Sequence, residues 1–424
     1  MKLLRDQVYA NRQNKDLIGK IVMTIYFLLF IWLIVCSIVF LKLPRHARKL
    51  AEFLCSIIPA TMIAVLRSVE VGTDTKQFVY AVLLIKKLGY EQYHSKGLYS
   101  SYEPGFVILL RLCSQFAEPA RVLIIVSSII ICVLPFFAIY ALTDRPALVY
   151  CAYFMTTQYF TSLTAMRQCI AIAIIFIAIL VFTRTQNIWV TTLLVVVAAM
   201  FHLTAIIVAP LFIVARIRPK IRTTVVVMLI FAALIAIVGS MLPTIIGMIP
   251  KYRGYATHGL RFLQPGRLMP AIQILFFGIF LAGLLTVGNT REDPNAEAAR
   301  PRIIPKGARS TISRHANLSY YDADDRRQTD LLWNLATYSC ACGILVGTSV
   351  LFTNVLYRLM YELLPFLTLV IPTLFMTKPK TTPQKIMHAL CALALVLFFV
   401  AFLLVPRRWF GINPYTLYSG APRV

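Results

Sequence analysis

The sequence predicts an all-α polytopic membrane protein with about 10–12 transmembrane helices, arranged as a single bundle over residues 1–424. Of its 424 residues, 59% are hydrophobic and 14% are charged, whereas a soluble domain carries about 25% charged residues. The mean hydropathy is +0.76. A third observation is a series of apolar runs long enough to cross a bilayer, at residues 20–41, 50–66, 120–141, 146–164, 168–183, 223–243, 270–288, 332–352, 355–377 and 386–406.

The first run is predicted to be a retained transmembrane helix rather than a signal peptide. Residues 20–41 are too many for the apolar core of a signal peptide, and no A-x-A cleavage site accompanies them. The bundle therefore includes this helix.

A further apolar segment, residues 188–215, is long for one helix and short for two. Three short basic segments are predicted to be cytoplasmic, at residues 42–49, 216–222 and 378–385. All three segments can be cytoplasmic only if residues 188–215 leave the cytoplasm and return to it. We therefore predict a broken or re-entrant pair of short helices that turns near His202. The same count of spans places the N-terminus outside, whereas the basic charge of residues 1–20 favours the cytoplasm. The side of the N-terminus is therefore left open.

The charge and the cysteine content argue against several classes of function. The formal net charge is +25, from 42 Lys and Arg against 17 Asp and Glu. In a membrane protein this excess is typical of cytoplasmic loops and headgroup contacts, so membrane lipids are predicted partners and nucleic acid is not. No CxxC pair with a distant partner pair occurs among the nine cysteines. A zinc site, a disulfide framework and a cofactor are accordingly not predicted.

Three polar loops interrupt the bundle. Residues 67–119 and 244–269 are predicted to be extracytoplasmic, the first with amphipathic segments. Residues 289–331 are predicted to be a disordered cytoplasmic loop, because they are rich in Pro, Arg and acidic residues. The stretch DADD, Asp322 to Asp325, contains the D-x-D pattern with which nucleotide-sugar enzymes hold a divalent metal. Such a site needs a folded α/β domain around it, so no metal is predicted here.

Several cations lie at the predicted outer ends of separate spans, where positive charge is normally scarce. A single arginine there most often reaches to headgroups, and a lone histidine is more often a packing residue. Several arginines together indicate an anionic ligand, and the planar guanidinium suits phosphate. With the tyrosines and carboxylates nearby, the pattern predicts a ligand that joins a phosphate or pyrophosphate to a hydroxyl-rich group, such as a polyprenyl-pyrophosphate-linked sugar. The cations are Arg67, Arg167, Lys251, Arg253 and Arg358.

Five motifs, in order, resemble the EpsG family of Wzy-like bacterial polysaccharide polymerases. They are RSVEVGTDTKQFVY from Arg67, EPGF from Glu103, MRQCIAIAIIF from Met166, FHLTAIIVAPLF from Phe201 and KYRGY from Lys251. Arg358 and the terminal NPY, Asn413 to Tyr415, also resemble residues of that family. The resemblance implies a multi-pass helical fold, glycosyltransferase-C-like or related, in a bacterial inner (plasma) membrane.

The resemblance also implies an activity. Members of this family are expected to join polyprenyl-pyrophosphate-linked oligosaccharide repeat units by glycosyl transfer on the extracytoplasmic face, during surface polysaccharide biosynthesis. A metal-independent glycosyltransferase is expected, because preorganised cations stabilise the leaving pyrophosphate in place of a metal. A flippase and a chain-length regulator are the candidate protein partners. Capsule, exopolysaccharide and O-antigen all remain open as products.

The residues of these motifs take three predicted roles. The pyrophosphate is expected to bind Arg167, Arg253 and Arg358, with Arg67 and Lys251 as second choices. The catalytic general base, which contributes about 10²–10⁴-fold, is expected among Asp74, Glu103 and His202, with the carboxylates ranked first. The predicted sugar-binding residues are Tyr80, Tyr102, Gln168 and Tyr255.

Other functions fit the same composition. An O-antigen ligase uses the same donor but attaches finished glycan to another acceptor, and only the family motifs separate it from a polymerase. A membrane acyltransferase also places Arg and His at a membrane boundary. A transporter or flippase moves the lipid-linked sugar without making a bond, and it needs alternating access, whereas the polar residues here gather on one side. A binding or scaffold role leaves the outer arginines unexplained.

Overall fold

The protein is an all-α polytopic membrane protein, as the sequence predicts. A computed structural model describes residues 25–95, 102–233, 268–288, 312–350, 359–404 and 415–420. In these residues eight helices are long and apolar enough to cross a membrane, and five further apolar helices have 10–17 residues. Each of the ten predicted runs overlaps one or more of these helices.

The sixteen helices of the described residues are numbered here in chain order. They are α1 Ile25–Lys42, α2 Arg45–Leu66, α3 Thr75–Leu88, α4 Tyr90–Ser95, α5 Pro104–Ser114, α6 Pro119–Leu142, α7 Pro146–Met155, α8 Gln158–Ser162, α9 Met166–Thr185, α10 Ile188–Ala199, α11 Leu203–Val214, α12 Ile221–Ala233, α13 Leu268–Gly288, α14 Ile312–Val350, α15 Leu359–Met376 and α16 Thr382–Leu404.

Burial separates central helices from peripheral ones. The apolar windows of α9, α14 and α15 are 72%, 78% and 72% buried, whereas those of α1, α2 and α16 are 28%, 22% and 28% buried. Exposed Leu, Ile, Val and Phe side chains dominate the outer helices, as expected where lipid is the solvent. The candidate site described below is built on the central helices α9 and α15.

The predicted broken pair at 188–215 is confirmed. Asn187 caps α10, since its side chain accepts hydrogen bonds from the backbone N–H groups of Trp189 and Val190. After Ala199 the chain turns through His202, which has an extended backbone, into α11, whose first part is a 3-10 turn. The two short helices pack against each other and against α9. The N–H of His202 donates to the carbonyl of Ala198 at 3.0 Å, so the backbone of the turn is paired within the protein, as a break inside a membrane requires.

The predicted span 146–164 differs from the structure, which divides it into α7 and α8. Between them Thr157 has a φ of 65°, unusual for a β-branched residue. The hydroxyl of Thr156 lies 3.1 Å from that of Thr368 on α15, and the Gln158 amide donates to both hydroxyls. These contacts pair both threonine hydroxyls and the amide nitrogen of Gln158 inside the bundle.

The predicted disordered loop 289–331 also differs in its second half. Residues 289–311 lie outside the described part, but 312–331 form the start of α14. This stretch contains neither Gly nor Pro, the two residues that most disfavour a helix. The D-x-D pattern is thus on a helix that continues into the bundle.

A buried ion pair ties α2 to the beginning of α7. Glu52 is fully buried and accepts hydrogen bonds from Arg145 Nε at 3.2 Å and from the backbone N–H of Ala147 at 3.1 Å. Arg145 also donates to the carbonyl of Ser37 at 2.8 Å. The carboxylate therefore caps α7, and the guanidinium extends the connection to α1.

Candidate functional site

Arg167 and Glu103 form an ion pair at the junction of α9 and α5. Arg167 is in the first turn of α9, and Glu103 holds the N-cap position of α5. Arg167 Nη1 donates to Glu103 Oε2 at 2.6 Å, and the two side chains are 17% and 9% exposed. A charge-assisted bond this short, largely out of water, fixes the orientation of the guanidinium.

Three aromatic rings surround the same guanidinium. Its central carbon lies 5.4 Å from the ring centre of Phe78, 5.0 Å from Tyr102 and 5.9 Å from Phe106. The rings pack edge-on against one another, with centres 4.9–5.7 Å apart. Arg167 is therefore held by cation–π contacts as well as by Glu103, in one preorganised position.

His202 completes this side of the cluster. Its Nδ1 lies 3.9 Å from Glu103 Oε1, and the residue is 9% exposed. The approach depends on Gly105, whose backbone N–H donates to the carbonyl of Met200 at 2.8 Å. A Cβ at Gly105 would lie 2.9 Å from the same carbonyl oxygen. The start of α5 thus docks directly on the turn between α10 and α11.

Gly105→Ala is expected to loosen this docking. The new methyl group meets backbone rather than a movable side chain, and overpacking of this kind costs about 1–3 kcal/mol of stability. Thermal unfolding of the purified protein in detergent measures the effect. Gly278→Ala is the control, since a Cβ at that helical glycine has nothing within 4 Å. Equal midpoints for the two variants would contradict the tight contact.

Glu362 joins α15 to the cluster and was not assigned a role from the sequence. It is fully buried on α15. Its Oε1 accepts hydrogen bonds from Gln168 Nε2 at 3.3 Å and from Thr204 Oγ1 at 3.0 Å. The sequence feature that could have identified Glu362 is a carboxylate inside an apolar run, which in a membrane protein is a functional candidate by default. Thr204, Phe78 and Phe106 gave no comparable signal.

The N-termini of α5 and α9 meet in this cluster. Glu103 precedes α5, and Arg167 and Gln168 lie in the first turn of α9. Helix N-termini carry positive partial charge and unpaired N–H groups, so they favour anions. Together with Arg167 they give this end of the bundle a positive field that Glu103 and Glu362 partly balance. The arrangement suits an anionic group such as a phosphate.

Asp74 lies at the margin of the cluster. It occupies the N-cap position of α3, one turn before Phe78, is partly buried, and accepts a hydrogen bond from Thr73 Oγ1 at 3.3 Å. Burial raises the pKa of the nearby Tyr102 phenol; the Arg167 guanidinium lowers it and the Asp74 carboxylate raises it further. Asp74 is thus within electrostatic range of Tyr102, and its predicted catalytic role stays a prediction.

Arg67 is placed differently from Arg167, the other predicted phosphate ligand among the described residues. It is 1% exposed, and its Nη1 donates to the carbonyl of Ala64 at 2.9 Å and to Ser128 Oγ on α6 at 2.8 Å. Residues 415–420 lie alongside: Tyr418 N donates to the Leu66 carbonyl at 3.0 Å. In the described residues Arg67 therefore packs between α2, α6 and the C-terminal segment.

The remaining predicted site residues divide into two groups. Tyr80 is 52% exposed on α3, two positions from Phe78 and so on another face of the helix; the structure does not bring it to the cluster. Lys251, Arg253, Tyr255 and Arg358 lie outside the described residues, as does most of the predicted loop 244–269. The roles of all five stay predictions.

A sequence profile of the EpsG family matches residues 51–417, which include every residue of the cluster. No curated protein and no solved structure matches the chain.

Proposed function

Because the chain belongs to the EpsG family, it is a membrane protein of polysaccharide biosynthesis, and we propose that it polymerises lipid-linked oligosaccharide repeats. The donor is the growing glycan on its polyprenyl pyrophosphate, and the acceptor is the next lipid-linked repeat. The reaction takes place on the extracytoplasmic face of a bacterial inner membrane. A flippase that delivers repeats and a chain-length regulator are the protein partners we propose.

The observation that carries this proposal is the preorganised Arg167. It is held by Glu103 and three aromatic rings where the N-termini of α5 and α9 meet. Fixed cations and dipoles stabilise charge that develops in a transition state without reorganising at that moment. A departing pyrophosphate develops such charge on oxygen. Arg167 is accordingly assigned to the leaving group, with no metal required in that role.

The chemical step then follows. A hydroxyl of the acceptor sugar attacks the anomeric carbon of the donor, and a new carbon–oxygen bond forms. The bond from that carbon to the pyrophosphate oxygen breaks, and polyprenyl pyrophosphate leaves with the electron pair. The hydroxyl proton goes to a base. The ring of Tyr102 lies beside Arg167 and is assigned to stacking on sugar.

The test uses the full-length purified protein in lipid nanodiscs. The substrate is the pool of lipid-linked oligosaccharides extracted from host cells in which this gene is deleted. We expect conversion of single repeats into a ladder of longer lipid-linked products, measured by gel and mass spectrometry. Arg111→Ala is a matched control for substitution of Arg167. Arg111 is an exposed arginine on α5 that also stacks on a ring, Tyr90, at 4.5 Å, but it lies outside the cluster, so this variant should keep full activity.

The other outcomes each overturn the proposal. Transfer of intact long glycan to a different acceptor means a ligase. Movement of repeats across sealed vesicles with no change in length means a flippase. Repeats that keep their length and stay in place, with the wild-type protein folded, mean that the polymerase assignment is wrong.

A further inference from the structure

The proposed reaction releases a proton from the acceptor hydroxyl, and the contacts of the buried carboxylates indicate which group takes it up. The following inference rests on the proposed function. Of the predicted bases, Glu103 already accepts a short hydrogen bond from Arg167. An opposite charge at this distance favours the charged form of a carboxylate, so a paired carboxylate is a weak base. Glu103 is better suited to hold Arg167 than to take up the proton.

Glu362 is engaged differently. Both of its described hydrogen-bond donors, the Gln168 amide and the Thr204 hydroxyl, are neutral and act on Oε1. Its Oε2 is buried and accepts no hydrogen bond from the described residues. A fully buried carboxylate oxygen without a donor is rare, because burial of an unpaired polar atom costs free energy. It therefore calls for a functional explanation.

Thr204 connects this buried carboxylate to the accessible side of the cluster. Its side chain is partly exposed, whereas Glu362 and Gln168 are 0% and 2% exposed. It follows His202 by two residues, on the turn against which Gly105 and Glu103 dock. A threonine hydroxyl donates one hydrogen bond and still accepts others. Thr204 can thus donate to Glu362 while it accepts from a bound hydroxyl group.

We propose that Thr204 and Glu362 form the proton relay of this site. The acceptor sugar hydroxyl donates to Thr204 Oγ1, which lies 3.0 Å from Glu362 Oε1. As the new glycosidic bond forms, the acceptor O–H bond breaks and its proton moves to Thr204. Thr204 passes its own proton to Glu362, so a hydroxyl is regenerated and a neutral carboxylic acid forms. Thr204 touches the substrate, and Glu362 acts through it.

Two substitutions test the relay in the nanodisc assay. Glu362→Gln keeps an oxygen that accepts from Gln168 and Thr204 but cannot take up a proton. Thr204→Val keeps the shape of the side chain and removes the hydroxyl. Each is expected to lower turnover by about 10²–10⁴-fold, the range of general-base catalysis, with little change in KM for the lipid-linked donor. Thr204→Ser, which restores a hydroxyl, should recover most of the turnover.

Glu52→Gln is the matched control, because Glu52 is a second fully buried glutamate that lies outside the site. Its turnover per folded molecule should equal that of wild type. Wild-type turnover in Glu362→Gln would overturn the relay, since the proton would then not need a carboxylate at this position. So would equal losses in Thr204→Ser and Thr204→Val, which would indicate a packing role.

This failure is distinct from a failure of the proposed function. If the relay is wrong but the chain is a polymerase, wild-type protein lengthens the repeats and only the variant pattern differs. If the chain is not a polymerase, wild-type protein itself gives no ladder. Thermal unfolding of each variant gives its folded fraction, so that turnover is compared per folded molecule.

Discussion

Cells whose only copy of the protein carries Arg167→Ala are expected to lose the polymer and accumulate single lipid-linked repeats on the outer leaflet. The substitution removes the cation that Glu103 and the rings of Phe78, Tyr102 and Phe106 hold in place. Removal of one preorganised group that stabilises transition-state charge costs about 10²–10³-fold in rate. The glycan profile and the mass spectrum of the lipid-linked intermediates measure the loss.

Arg167→Lys is the control for misfolding of the Arg167→Ala variant. Loss of Arg167 removes the cation that pairs with the buried carboxylate of Glu103, which is destabilising, whereas lysine keeps a positive charge beside it. It cannot reproduce the planar fork, so activity should still fall. Long lipid-linked polymer that is never passed on would indicate a ligase instead. Unchanged profiles in both variants, at normal membrane levels, would show that Arg167 does not act on the leaving group.

Gly72→Ala is expected to be the most destabilising Gly→Ala substitution in the described residues. Gly72 has a φ of +94°, and a Cβ there would lie 2.2 Å from the carbonyl oxygen of Leu163. The positive φ costs a non-glycine residue about 1–2 kcal/mol, and overpacking adds about 1–3 kcal/mol. The loop before α3 would have to move away from the segment that leads into α9. Thermal unfolding and the yield of folded protein measure the result.

Gly89→Ala separates the two causes. Gly89 also has a positive φ, +78°, but a Cβ there meets nothing within 4 Å. This variant should therefore show only the conformational part of the loss. If Gly72→Ala is no less stable than Gly89→Ala, the close approach of the Gly72 loop to Leu163 is not present in the protein.

The individual charges of the site could be predicted from the sequence, but their pairing could not. Arg167 and Glu103 stand out because each is a charged residue beside an apolar run. Their contact joins residues 64 positions apart, and no spacing rule connects them. Glu362 shows the same limit more sharply. An acidic residue near the beginning of a span can face headgroups or the interior, and only the packing of α9 and α11 against α15 decides which.

The helix breaks divide in the same way. The break at His202 could be predicted, because the length of 188–215 and the charges of the flanking loops both require it. The break at Thr157 could not, because residues 146–164 are apolar enough to form a span. Its polar side chains are stabilised by Thr368, more than 200 residues away. The helical start of α14 was likewise hidden by a composition typical of disorder.

The sequence by itself determined that this is an all-α membrane protein, how most of its spans are placed, and which family it resembles. Transfer of a side chain from water to lipid is a local property that adds along the chain, so a window of residues is enough to predict a span. Only the tertiary structure decided that Arg167 is held by Glu103 and three rings, and that Glu362 lies beneath Thr204. Hydrogen bonds and ion pairs depend on which helices are neighbours, and that follows from the packing of the whole bundle.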